Sequence, residues 1–522
     1  MALSQAEEPV TVEIESGKLQ GLRSGGAMKF KGIPYAADTG GKNRFLAPQP
    51  VEGWTGVRDA TRFGDRAIQR KSSRPNPENV PFSENCCVLN VYTPDLDQTA
   101  RRPVMVYFHG GGFHSGSGDT PNIEGSNLAA FADAVVVTTN HRLNAFGYTP
   151  LGLVDPEFAD AGNAGLLDLV ASLKWVQRNI HAFGGDAGKV TIAGHSGGGS
   201  KVTALLLTPD ADGLYHRSIN MSGSSGLGLR PVAESEPPVK DMLQRLEIAP
   251  GEVRKLQEVP ADQFLEAQSA AIAATDAGGY RATVDDRYIF HTPMSAEGLK
   301  LQARLPSIMS WVTDEAASFI GGGEHRFDVS AEQVKSRIAE EYGLNAGEVE
   351  AVWEGYHKQE PDRTPWDVLV AVASDANFKT IIRRAADARA EVGNAPVYCS
   401  HFTWESTEEG GRLGTPHGLD VGFAFGNVSM EDYPDNPDGA RATMENQMSI
   451  FAAFLKNGNP NNARIPEWPA YNAETRPTLV INETCEVIPD FRSDDREVAY
   501  TLPTRDSARV PGGPLFRPVT EL

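Results

Sequence analysis

Cysteine is scarce, basic residues are outnumbered and long apolar runs are missing; each shortage excludes something. Only four cysteines occur in 522 residues, at Cys86, Cys87, Cys399 and Cys485. Neighbours such as Cys86 and Cys87 make poor partners, so a disulfide-stapled scaffold is excluded and a reducing, cytoplasmic setting is expected. Lys and Arg number 48 against 69 Asp and Glu, a net charge of −21. That balance repels nucleic acid and anionic membrane surfaces. No run of about 18 apolar residues occurs, so no membrane span is expected. The stretch Met1–Pro9 has neither a basic start nor an apolar segment, and so is not read as a signal peptide, although a processed chain would look the same. Internal repeats and low-complexity linkers are absent as well.

What is present points to a large α/β protein. Apolar residues make up 40% of the chain, enough for a sizeable core. Val10–Ile14 and Lys18–Leu22 alternate about a Ser-Gly turn and read as an edge hairpin. Phe30–Tyr35 and the Pro/Gly-rich residues after it read as surface segment, and 61–85 as polar loop. β-Branched runs at Cys87–Tyr92, Val104–Phe108, Ala134–Thr139, Val190–Ala193, Tyr215–Ser222, Arg304–Val312, Pro396–Phe402 and Thr478–Ile481 read as strands. Helical spacing covers Gly165–Ile180, residues 235–275, most of 330–393 and Gln447–Asn457; the Pro-rich tail reads as irregular. Strands alternating with helices imply an α/β fold with a mainly parallel, doubly wound sheet and an antiparallel N-terminal edge. The expected organisation is one catalytic domain over 1–522, with 325–393 as a helical insertion or lid.

The chemistry centres on one stretch. Val190–Ala193 is followed by Gly194-His195-Ser196-Gly197-Gly198, which fills the G-x-S-x-G pattern, and then by the apolar helix Lys201–Leu207. Strand, sharp turn and helix in that order present a serine hydroxyl at the end of a sheet. The turn requires a strained backbone at Ser196, and side chains at Gly194 or Gly198 would collide where strand and helix meet. A phosphate-binding loop is the rival reading, but it needs Lys then Ser/Thr after its last glycine, and here the order is Ser200-Lys201. A second strand, Val104–Phe108, runs into His109-Gly110-Gly111-Gly112-Phe113. This form suits an oxyanion hole built from the N–H groups of Gly111, Gly112 and Gly197, each donor contributing about 3 kcal/mol.

A nucleophilic serine also needs a base and an acid that orients it, in the chain order Ser, acid, His. Four histidines lie far enough along: His325, His357, His401 and His417. His357 falls in the helical insertion and His401 inside a strand, which suits structural roles. His325 follows a Gly-rich loop, and His417 sits in the loop Gly414–Gly418, where a side chain can reach across a site.

At this point the chain resembles the type-B carboxylesterases, relatives of the cholinesterases and p-nitrobenzyl esterases, in an α/β-hydrolase fold. The matching stretches, in order, are Phe30–Ala36, Ser83–Val91, Gly110–Phe113, His141–Gly147, Gly162–Asp168, Trp175–Ile180 and Phe183–Asp186. The resemblance implies a Ser-Glu-His triad. Its acid lies in a strand-end Asp-Glu pair, here Asp314-Glu315, which gives Glu315 with Asp314 as runner-up. Its histidine begins His-Gly-x-Glu/Asp before Phe-x-Phe-Gly, here His417–Asp420 before Phe423–Gly426. The chain departs from the pattern in four places. His195 stands where the family usually has Glu; from so sharp a turn it is expected to point away and to pack. Gly197 stands for Ala. Cys86 lacks its family partner, since the upstream positions read Ala67-Ile68-Gln69. The tryptophan that binds choline falls near Asn76, so a choline site is not implied.

The resemblance therefore implies a serine ester hydrolase with a small-molecule ester substrate, needing no cofactor and no metal. Nucleic-acid and membrane partners are not expected; the chain is expected as a monomer or small homo-oligomer. A non-catalytic cholinesterase-like binding protein would have lost a triad position, and all three are filled. An amidase or thioesterase could use the same three residues. Phe113, His195, Phe319 and Phe423 are candidate pocket residues, with Phe425, Leu227, Gly228 and Leu229 beside them.

Overall fold

The computed structural model describes residues 7–70, 76–224, 229–275, 279–321, 325–503 and 514–517. The strands used below are β1 Glu8–Ile14, β2 Gly17–Ser24, β3 Ala27–Pro34, β4 Val57–Asp59, β5 Val88–Thr93, β6 Arg102–Phe108, β7 Val135–Thr139, β8 Gly185–His195, β9 Arg217–Met221, β10 Ser307–Val312, β11 Val397–Phe402, β12 Pro477–Ile481 and β13 Glu486–Pro489. They form one sheet in the order β1-β2-β3-β5-β7-β6-β8-β9-β10-β11-β12-β13, with β4 beside β2. Pairings from β1 to β7 are antiparallel. From β7 to β12 they are parallel, and β13 closes the far edge antiparallel. The helices used below are α1 Ala164–Asn179, α2 Gly197–Leu206, α3 Ala331–Tyr342, α4 Ala346–Gln359, α5 Pro365–Ser374, α6 Thr380–Val392, α7 Leu419–Phe425, α8 Pro437–Asn457 and α9 Ser493–Thr501.

Alternation along the central strands explains why these runs are apolar throughout. Val104, Val106 and Phe108 of β6 join one core with α1 and α2. Met105 and Tyr107 point the other way, into a second core with α7 and α8. Successive side chains leave opposite faces of a strand, so a sheet covered on both sides needs a continuous hydrophobic run. This is the mainly parallel, doubly wound sheet that was expected. Because β6, β8 and β10 run parallel and close together, their carboxyl ends share one rim, the usual place for a site in such sheets. No helix among the described residues is long and apolar enough to cross a membrane.

Three expectations need correction. Phe30–Tyr35 is not surface segment: it belongs to β3 and its flank, and Phe30, Ile33 and Tyr35 are buried. The glycine and proline that suggested a loop mark a bulge instead. Gly32 has φ +64°, its N–H donates to Asn90 Oδ1 at 3.0 Å, and the register with β5 shifts between Phe30 and Ile33. The helix expected from Gln447 begins at Pro437, capped by Asn436, whose side chain accepts from the N–H of Gly439. The tail contains β13 and α9 before its Pro-rich part. Residues 330–393 are helical as read, with α3 to α5 around a core that includes Ile338, Tyr356 and Leu369 and α6 packed on β10 and β11. Between α5 and α6 the chain makes a π-helical turn at Asp375–Lys379.

Candidate active site

The turn after β8 has the geometry its sequence demands. Ser196 has φ +57° and ψ −123°, a sparsely populated conformation for a residue with a side chain, and α2 starts at the next residue. Its N–H donates to the Met221 carbonyl at 2.7 Å. A Cβ on Gly198 would lie 1.9 Å from the Phe108 carbonyl oxygen, and one on Gly194 2.3 Å from the Gly198 carbonyl carbon. Only glycine fits where β8, β6 and α2 converge. Gly197 is packed as closely: a Cβ there would lie 2.2 Å from the Gly112 oxygen. The serine turn and the glycine turn after β6 are thus in direct contact.

That second turn carries Gly111 at φ +99° and Gly112 at φ +62°. The Lys201 ammonium, buried on α2, donates to the His109 carbonyl at 2.9 Å and fixes the start of the turn.

The expected acid and base come together across the chain. Glu315, beyond the end of β10, is fully buried. Its Oε1 accepts from the Ser222 hydroxyl at 2.5 Å and the Val312 N–H at 3.1 Å. Its Oε2 is hydrogen-bonded to His417 Nδ1, 102 residues further on. With Nδ1–H donating to a carboxylate, Nε2 is the basic nitrogen of the ring. That Nε2 is buried and has no hydrogen-bond partner among the described residues.

The runner-up, Asp314, turns elsewhere. Its carboxylate accepts from the Thr415 N–H at 2.8 Å, and its own N–H donates to the Thr415 carbonyl at 3.0 Å. Glu315 holds the imidazole while Asp314 fastens the loop that carries it. Close packing around the Asp314 carboxyl pushes its pKa up to about 6, against the pull of the Thr415 amide. A third carboxyl, Asp420, is wholly buried at the start of α7, and neither oxygen makes a hydrogen bond among the described residues. Burial, reinforced by nearby Glu315, pushes its pKa up to about 8.

The other expected residues divide. His195 does not point away: its ring lies 4.3 Å from that of His417. Phe319 is 39% exposed and sits 5.3 Å from the His417 ring. Phe113 and Phe423 are core instead. Phe113 packs edge-on against Tyr148 at 5.0 Å, and Phe423 fills the opposite face of the sheet with Phe402 and Tyr433. Phe425 likewise packs on Tyr107. Leu227 and Gly228 lie outside the described residues. Asn76 closes a turn by bonding both backbone groups of Val80. His401 accepts from Trp311, His357 caps its own helix against Trp353, and His325 pairs with Asp328 at the surface.

Sequence reasoning missed Ser222 and Phe378. Phe378, on the π-helical turn, stacks on Phe319 at 5.7 Å and lies 4.8 Å from His417. Nothing in the helical periodicity of the insertion marks it, because its role depends on where the turn is carried. All four cysteines are free. Among the described residues no three His, Cys, Asp or Glu side chains converge to hold a metal ion.

Comparison with known proteins bears on the family and the fold. The family model described as "Carboxylesterase family" matches residues 8–498. A para-nitrobenzyl esterase of Bacillus subtilis is 32% identical over 498 residues, covering 94% of this chain and 98% of that protein. A phenmedipham hydrolase of Pseudarthrobacter oxydans is 30% identical, covering 93% and 98%. The crystal structure of a Geobacillus stearothermophilus carboxylesterase superposes with a TM-score of 0.79 at 33% identity, over 94% of this chain and 99% of that one. With this fold, these two touching turns and relatives along nearly its whole length, the chain belongs to the carboxylesterase family, ester-hydrolysing enzymes of the α/β-hydrolase fold.

Proposed function

We propose that the protein is a serine carboxylesterase that works through an acyl-enzyme. Ser196 attacks the ester carbonyl carbon while His417 Nε2 takes the hydroxyl proton. The tetrahedral oxyanion is held by the N–H groups of Gly111, Gly112 and Gly197. Its collapse breaks the acyl C–O bond, and His417 returns the proton to the departing alkoxide. Water then attacks the acyl carbon as His417 takes its proton; the bond from that carbon to Ser196 Oγ breaks, His417 returns the proton to Oγ, and the carboxylic acid leaves. Glu315 keeps the imidazole in the required tautomer and stabilises its cation.

The observation that carries this reading is the Glu315–His417 hydrogen bond with Nε2 left unbonded, in a ring that packs at 4.3 Å against His195, the residue before the strained Ser196. The reading takes the chain as one catalytic unit. The 325–393 helices belong to it as a cap, since their π-helical turn brings Phe378 against the imidazole. The Phe319–Phe378 pair supports an apolar acyl or alcohol group as the part of the substrate nearest His417. The four free cysteines support a reducing compartment.

Replacing Ser196 by Ala tests the reading. Turnover of p-nitrophenyl acetate should fall by a factor of about 10⁴ or more, with the melting temperature unchanged. Retained turnover would remove Ser196 from its role.

A further inference from the structure

The turn after β6 is held from outside by a short strap, residues 65–69, whose contacts with it no motif announces. The Asp65 carbonyl accepts from Asn140 Nδ2 at 3.0 Å, and Asn140 Oδ1 accepts from the Gly118 N–H at 2.6 Å. The Arg66 guanidinium pairs with the Asp119 carboxylate at 2.9 Å, both buried. The Ile68 carbonyl accepts from Asn144 Nδ2 at 2.7 Å, and the Asn144 N–H donates to the Phe113 carbonyl at 2.7 Å. Gln69 completes the set. Its Nε2 donates to the Gly116 carbonyl at 2.9 Å, and its Oε1 accepts from the Gly116 N–H at 2.8 Å.

One carboxamide thus satisfies both backbone groups of one residue, which fixes that residue much as a paired strand would. The residue so fixed matters. Gly116 has φ +109°, and a Cβ on it would lie 2.3 Å from the Gly110 oxygen and 2.4 Å from His109 Nδ1. It backs directly onto the start of the turn. Gly110 in turn faces Ser196, its own Cβ position lying 3.4 Å from the serine Cβ. The strap has no covalent staple: Ala67 merely packs with Cys86 and Leu143. Hydrogen bonds, an ion pair, a short pairing with Phe82–Ser83 and the packing of Ala67 and Ile68 bear the restraint.

We propose that Gln69 is a positioning residue for the oxyanion hole: through its paired hydrogen bonds to Gly116 it keeps the Gly111 and Gly112 N–H groups in register with Ser196. The proposal rests on the oxyanion role assigned above to those two glycines. Fixed donors stabilise a developing oxyanion only when they are aimed before the charge appears, and small displacements are costly. Loss of the clamp should therefore weaken transition-state binding and leave ground-state binding alone.

The test uses the full chain with Gln69→Met, which keeps length but neither bonding group, and Gln69→Glu, which keeps the acceptor and loses the donor. Active sites are counted with a fluorophosphonate. Then kcat and KM are measured with p-nitrophenyl acetate, together with inhibition by a trifluoromethyl ketone, whose adduct carries an oxyanion. Gln69→Met should lower kcat per active site roughly 10- to 100-fold with KM moved less than about 3-fold, and weaken the ketone by a similar factor. Gln69→Glu should show the same kcat-only pattern at smaller size, and decides the matter if the Met variant does not fold. Normal kcat and ketone affinity in a folded variant would overturn the proposal, as would a loss confined to KM. A wild type that neither turns over the ester nor takes the label would instead remove the reading beneath it.

Discussion

The turn after β8 and the turn after β6 touch at Gly197 and Gly112, yet they are held by different means. The serine turn is wedged between other elements: the Phe108 carbonyl, the Gly112 backbone and Asn220 leave no room for a Cβ on Gly198, Gly197 or Gly199. Its shape follows from close packing. Three glycines of the other turn collide within their own loop, Gly111 with Ser115, Gly112 with His114 and Gly116 with Gly110, while Gly110 meets the His195 carbonyl oxygen of the serine turn at 2.9 Å. That loop is compact, but its placement against the sheet depends on side chains sent from elsewhere: Gln69, Asn140, Asn144, Asp119 with Arg66, and Lys201. Steric wedging tolerates no added atom, whereas tethering tolerates substitution but loses aim.

The largest effect that would break this comparison lies on the wedged side. Gly198→Ala must displace backbone, and should destabilise the fold by about 3 kcal/mol or more in denaturant unfolding. Gly251→Ala, where a Cβ would meet nothing within 4 Å, should stay within about 0.5 kcal/mol of wild type. Equal stability of the two variants would show that the serine turn is not wedged. On the tethered side, the Gln69 variants described above should keep their fold and lose kcat instead.

A pH-dependent effect concerns the buried carboxyl near Glu315. Asp420 titrates near 8 in the folded protein, against about 4 when unfolded. Between those values the folded state holds a proton the unfolded state has released, so this group makes stability fall as pH rises from about 4 to about 8 and adds no slope outside that window. In Asp420→Asn the fall should be shallower across that window, measured by melting temperature against pH. Parallel curves for the two proteins would mean that Asp420 is charged at neutral pH.

How much was legible follows the same division. The serine turn could be read from Gly194–Gly198 because its steric demand is local. The sheet was legible because strands buried on both faces must be apolar without interruption. Glu315 needed the family resemblance, since an Asp-Glu pair at a strand end does not say which carboxylate faces the histidine. Gln69, Ser222 and Phe378 were hidden for one reason: each acts on a residue remote in sequence. β3 was misread because a bulge at Gly32 looks like a loop when its partner strand is unknown. Phe423 was misplaced because an aromatic beside a site motif reads the same whether it lines a pocket or fills the far face of the sheet.

The account stands on a serine hydroxyl made nucleophilic by His417. Peptide mass mapping after brief exposure to a fluorophosphonate tests this most directly, in wild type and in His417→Ala. The account predicts one phosphonyl group on Ser196 in the wild type and, in the variant, labelling slowed by a factor of about 10³ or more. A phosphonyl group on another residue, or equal labelling rates in the two proteins, would contradict it.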